Sequence, residues 1–149
     1  LHGTLDKSGA RRWLKFHAGA SACDEPGAAA FWLARASDLP TLPWDAMALG
    51  TDDAPQVGAT LCVEVDGLAD ELTAEMPLAA SEPLALRLRG PGIAVDTQAT
   101  RSLVVAGLSR DMWSRRGAMV ESFPRGFDLI LTCGPRLAAL PRTTRVELA

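Results

Sequence analysis

The chain has 149 residues, 48% hydrophobic and 22% charged, a balance that suits one globular domain over residues 1–149 and argues against disorder. Fifteen basic against eighteen acidic residues leave a net charge of −3, which excludes a broad electrostatic footprint for nucleic acid. No run approaches the roughly 20 apolar residues of a membrane span, and no secretory signal opens the sequence, so a reducing, cytoplasmic setting is expected.

In chain order, Asp6 to Phe16 reads as a short helix that Asp6 or Ser8 can cap and Gly19 ends, with Trp13, Leu14 and Phe16 supplying apolar contacts near one face. Ala28–Ala36, "AAAFWLARA", is a short apolar run between turn signals, and its length favours a buried strand. Trp32 within it is expected to be the most buried tryptophan. Trp44–Leu49 fits one or two helical turns, and Thr51–Gly58 is a turn-rich connector. "ATLCVEVDGL" (Ala59–Leu68) alternates, placing Leu61, Val63 and Val65 on one face against Cys62 and Glu64 on the other. Asp70–Pro83 reads as a loop or weak helix. Leu84–Gly90 alternates again, with Leu84, Leu86 and Leu88 inward and Arg87 and Arg89 outward, and "GPGIAVD" makes the following turn.

Ser102–Met119 is the best remaining helix, although Gly107 weakens its middle by roughly 1 kcal/mol relative to alanine. Ser109 can instead cap a shorter helix carrying Met112, Trp113 and Arg116, which Phe123-Pro124 stops. Asp128–Cys133 is a continuous apolar strand, answered by Arg136–Leu140 across Cys133-Gly134-Pro135 in hairpin spacing. Strands separated by helical or loop connections indicate an α/β domain with a mixed sheet.

The catalytic stock is poor. Thirteen of the fifteen basic residues are arginine, and Lys7 and Lys15 are the only lysines, so a Schiff-base amine has few candidates. Cys23, Cys62 and Cys133 are far apart and in no CxxC spacing, which fits small buried residues better than disulfides or a metal site. His2 and His17 are too few for a histidine-rich site. Gly90-Pro91-Gly92 fits a tight turn, because Pro91 lacks the N–H that a phosphate cradle uses and no helix pattern follows. Asp45, Asp52 and Asp53 lack the spacing of a calcium loop. Ser21, Cys23 and Ser81 have only His17 as an interior base and no nucleophile elbow. No metal or cofactor is expected. There remains Pro141-Arg142-Thr143-Thr144-Arg145. Arginine forks suit phosphate or carboxylate, so Arg142, Thr143, Thr144 and Arg145 fit an anion site, a subunit contact or a solvated strand end that resists edge-to-edge pairing.

"FPRGFDLILTCGPRLAALPRTTRVE" (Phe123–Glu147) strongly resembles the C-terminal signature of the PhnH family, the H subunit of the bacterial carbon–phosphorus lyase core complex. "VGATLCVEVDGL" (Val57–Leu68) is similar to the family's central strand, "LRLRGPGI" (Leu86–Ile93) to its strand and glycine turn, and "KFHAGA" (Lys15–Ala20) to a weaker upstream block. Pro40–Leu49 matches poorly. Family members open with a longer segment, containing a phenylalanine-bearing helix and a "MARPG"-like turn, that has no counterpart here, so the natural N terminus is expected to lie outside this sequence.

The resemblance implies a three-layer α/β/α fold similar to pyridoxal-phosphate-dependent transferases without that cofactor's site. It implies a homodimeric subunit that assembles with the G, I and J subunits and works with G, I and L in moving ribose triphosphate from ATP onto an alkylphosphonate. On this reading the chain has no catalytic residue of its own, and Arg142 and Arg145 pair with carboxylates or backbone carbonyls at a subunit contact or sheet end. The alternative is a nucleotide- or phosphonate-binding subunit using the Arg/Thr cluster.

Overall fold

A computed structural model describes residues 1–71, 82–91, 93 and 101–149. The fold is mixed α/β, with two four-stranded sheets and, among the described residues, three α-helices. The first sheet holds β1 (Phe31–Arg35), β2 (Thr60–Glu64), β6 (Asp128–Cys133) and β7 (Arg136–Leu140) in the order β1-β2-β6-β7; the first three are parallel and β7 is antiparallel to β6. The second is antiparallel throughout, in the order β3-β5-β4-β8, with β3 Gly67–Ala69, β4 Leu84–Arg89, β5 Arg101–Ala106 and β8 Arg145–Leu148.

Alternation in the sequence decides which side chains go inside. Leu61 and Val63 of β2 and Leu129 and Leu131 of β6 are fully buried, as are Leu86 of β4 and Val105 of β5. These side chains belong to one apolar cluster, closed by Phe127, Trp44, Met112 and Trp113. The chain passes from one sheet to the other at Val65-Asp66: Val65 N–H donates to Thr132 in the first sheet (2.9 Å) and Asp66 N–H to Ala106 in the second (3.1 Å). Arg136 reinforces this seam by donating to the Leu68 carbonyl at 2.8 Å.

Several expectations are corrected. Ser102–Ala106 is strand, not helix: its Leu-Val-Val run occupies a central position between β3 and β4, where branched side chains pack on the pleated surface. Gly107, at φ 95°, turns the chain out of β5. Ser109 then caps the shorter helix α3 (Arg110–Val120), its Oγ accepting from Met112 N–H at 3.3 Å. The N-terminal helix is two pieces, α1 (Thr4–Lys7) and α2 (Ala10–Ala18), ended by left-handed Gly19. Its aromatic residues are not packed inward, Trp13 being 59% and Phe16 82% exposed. Trp32 is buried, but Trp113 is at least as well covered (7% against 5%) because α3 seats it in the same core. Among the described residues there are two sheets rather than one, of which the first is mixed. Most of the Asp70–Pro83 connector and of the "GPGIAVD" turn lies outside the described residues, as does Ser81.

Candidate functional site

The segment from Leu140 to Arg145 carries the chain from one sheet to the other. β7 ends at Leu140, and Pro141, which has no N–H, cannot extend its ladder. A tight turn follows, closed by Thr144 N–H donating to Pro141 at 2.8 Å, and β8 begins at Arg145.

Beneath this turn sits Arg116 of α3, only 2% exposed. One terminal nitrogen, Nη1, donates to the Thr144 carbonyl at 2.8 Å; the other, Nη2, donates to Pro141 at 2.8 Å and Leu140 at 3.3 Å. Its Nε has no partner among the described residues. Burial pushes the Arg116 pKa down to about 10, with the Asp128 carboxylate acting the other way, so the guanidinium stays charged at neutral pH.

Arg142, at the second position of the turn, faces Asp128 at the start of β6. Its backbone N–H and Nε donate to Asp128 Oδ1 (2.7 and 3.3 Å), and Nη2 donates to Oδ2 at 2.8 Å. Nη1 donates to the Pro55 carbonyl, in the connector before β2. Burial alone would raise the Asp128 pKa; the hydrogen bonds and charge of Arg142, with the charge of Arg116, outweigh it and hold the carboxyl below its ordinary value. The close approach depends on Gly58, where a Cβ would lie 2.5 Å from the Gly126 carbonyl oxygen and 2.8 Å from Arg142 Nη1.

Of the four residues singled out in the sequence, Arg142 and Thr144 therefore meet around Arg116 and Asp128. Thr144 is buried and Thr143 half-buried, and a Cβ on Gly90 would touch the Thr143 carbonyl at 3.1 Å. Arg145 is apart, exposed on β8 directly opposite Arg89 of β4. The arrangement gives Arg142 a carboxylate and a backbone carbonyl as partners and leaves Arg145 and Arg89 facing solvent, with Glu147 3.6 Å from Arg89. The reading from sequence did not single out Arg116 or Asp128 as site residues. The spacing of Met112, Trp113 and Arg116 on one helical face was the available signal for the first; for Asp128 there was none beyond its place at the head of an apolar strand.

The other candidates lie elsewhere. Asp52 pairs with Arg125 at 3.3 Å, and no group of three or more histidine, cysteine or acidic side chains able to hold a metal gathers among the described residues. Cys23, Cys62 and Cys133 are free thiols, and burial pushes the Cys62 thiol pKa up. His17 packs between the rings of Trp13 and Phe16. No helix among the described residues is long and apolar enough to cross a membrane.

This turn, with the strands on either side of it, is the segment that carried the resemblance in the sequence. A family model described as bacterial phosphonate metabolism protein (PhnH) matches residues 1–147. The chain belongs to the PhnH family. It is 36% identical over 155 aligned residues to the alpha-D-ribose 1-methylphosphonate 5-triphosphate synthase subunit PhnH of Rhizobium meliloti (strain 1021), covering 99% of this chain and 65% of that protein. It is also 36% identical over 100 residues to a Stutzerimonas stutzeri protein named "Putative C-P lyase subunit protein HtxG", covering 67% of this chain and 43% of that one. The chain thus spans less than two thirds of the length of either curated relative.

Proposed function

We propose that this chain serves as a non-catalytic subunit of the carbon–phosphorus lyase core complex in the cytoplasmic breakdown of organic phosphonates. On this reading it assembles as a homodimer with the G, I and J subunits. Together with G, I and L it is required for transferring ribose triphosphate from ATP to an alkylphosphonate. It carries shape rather than bond-making groups, holding neither metal nor cofactor.

Membership of the PhnH family is the observation that carries this reading. The use made of the signature arginine supports it: Arg142 is turned onto Asp128 and Pro55, where it fastens the first sheet to its connector. The three-layer arrangement similar to pyridoxal-phosphate-dependent transferases belongs to the same proposal; the mixed sheet β1-β2-β6-β7 is compatible with it, and an experimental structure of the whole-length protein tests it. For the assembly role, the whole-length protein is mixed with the purified core subunits and passed over a sizing column. Co-elution is expected; separate elution overturns the role.

A second reading makes the chain a nucleotide- or phosphonate-binding subunit through Arg142, Thr143, Thr144 and Arg145. Arg145 favours it: its exposed side chain has no ion pair among the described residues, whereas Arg89 opposite it is already paired with Glu147 at 3.6 Å. Calorimetry with ATP or a phosphonate distinguishes the readings. Heat that disappears in an Arg142→Ala, Arg145→Ala double variant supports anion binding, and no heat with the wild-type protein removes it.

A further inference from the structure

Among the described residues β1 is an outer strand of its sheet, and its free edge is already in use at one point. His2 N–H donates to the Leu33 carbonyl at 2.9 Å, on the side of β1 away from β2. Two residues on, Thr4 N–H donates to the carboxylate of Asp38, just past the end of β1, at 2.9 Å. From His2 to Thr4 the chain therefore advances alongside β1 in the same direction as β1. It then forms α1 and α2 and returns to begin β1 itself. A parallel neighbour, a helical connection and a strand of the same sheet make a β-α-β crossover, and here only the last contact of the first strand is present.

The helix shows the same incompleteness. Not one of residues 1–31 is buried, yet α2 is amphipathic: Trp13, Leu14, Phe16 and His17 share one side, with Arg12 and Lys15 on the other. Crossover helices bury such a stripe against their sheet. Instead Trp13 and Phe16 face solvent, as does Phe31 of β1 at 61% exposure. Between helix and strand lies a groove of about 330 Å³, lined by Leu1, Arg11, Leu14, Phe31 and Leu33 among others. The matched Rhizobium relative is longer, with about a third of its length outside the match.

We propose that the polypeptide immediately preceding Leu1 in the whole protein forms a strand parallel to β1, hydrogen-bonded to its free edge, and that this added segment covers the apolar side of α2 and fills the groove. The proposal does not rest on the assembly role, because it concerns the protein by itself.

The test uses the whole gene product, purified alone, with amide-resolved hydrogen exchange at two protein concentrations. In a strand the N–H and carbonyl of one residue point the same way, so Phe31 and Leu33 N–H share the edge that receives His2. Both amides are expected to exchange at least about 100-fold more slowly than unpaired edge amides, at a rate independent of concentration. Radical footprinting should show Trp13 and Phe16 protected in the same sample. Rapid exchange at Phe31 and Leu33 overturns the proposal. So does protection seen only at the higher concentration, which assigns the edge to a second copy, or only after companion subunits are added. A gene product with too few residues before Leu1 to make a strand overturns it equally.

Discussion

Replacing Arg116 by methionine isolates the feature on which the C-terminal turn rests. Methionine fills a similar volume without a donor, so the Leu140, Pro141 and Thr144 carbonyls each lose a hydrogen bond. Pro141 keeps the Thr144 N–H, and Leu140 keeps its place opposite Leu129 in the β6–β7 ladder. Pro141 is exposed and regains water; Leu140 and Thr144 are each 2% exposed and do not. The one buried acceptor left unmade, on Thr144, costs about 1–3 kcal/mol. Part of this is returned, because the charge no longer has to be held out of water, the same cost that pushes the Arg116 pKa down to about 10. A net loss of about 1–2 kcal/mol remains, against the ~5–15 typical of a folded chain. Equilibrium urea unfolding of wild-type protein, Arg116→Met and Arg116→Lys measures it, with the m-value checking that the unfolding reaction is the same. Lysine should lose nearly as much, since one ammonium cannot reproduce a fork that reaches three carbonyls. A methionine variant within about 0.5 kcal/mol of wild type, below the cost of one buried acceptor, would refute the reasoning.

Gly58→Ala forces a Cβ to within 2.5 Å of a backbone oxygen that cannot swing aside, so a loss of about 1–3 kcal/mol is expected in the same assay. Ser109→Ala removes the side-chain cap of α3 and should cost about 1 kcal/mol, while Ser109→Gly costs only a few tenths, roughly. Asp128 has a folded pKa below its ordinary 3.8. Its contribution is therefore complete above that value and is lost as pH falls through the lower, folded pKa. Unfolding followed from pH 6 downward, roughly across the carboxylate range, should show a shallower acid decline in Asp128→Asn than in wild type; identical slopes would remove Asp128 as a contributor.

Legibility followed the range of the interaction. The inward faces of β2 and β4 could be read because alternation is a local pattern, and the β6–β7 hairpin because Gly134-Pro135 punctuates two apolar runs. β5 was absorbed into a helix because its apolar residues run on through Gly107 into Leu108 and α3, and only the φ of Gly107 separates them. The division into two sheets could not be read at all. β2 pairs with β6 across more than sixty intervening residues, and nothing local says which strand a strand will choose. The site shows the same limit. Arg142 drew notice as an arginine in a signature, but its partners lie at Asp128 and Pro55, and Arg116 became notable only when α3 placed it under the turn.

From Asp128 onward the chain supplies two strands to one sheet and then the outer strand of the other. A nascent polypeptide emerging from the ribosome therefore holds β2 and β4 with open flanks until residues 128–148 have been made. Neither sheet can be completed before those residues have left the ribosome. A premature stop between residues 107 and 127 would release a product with two sticky edges, fit for aggregation or proteolysis rather than for partial duty.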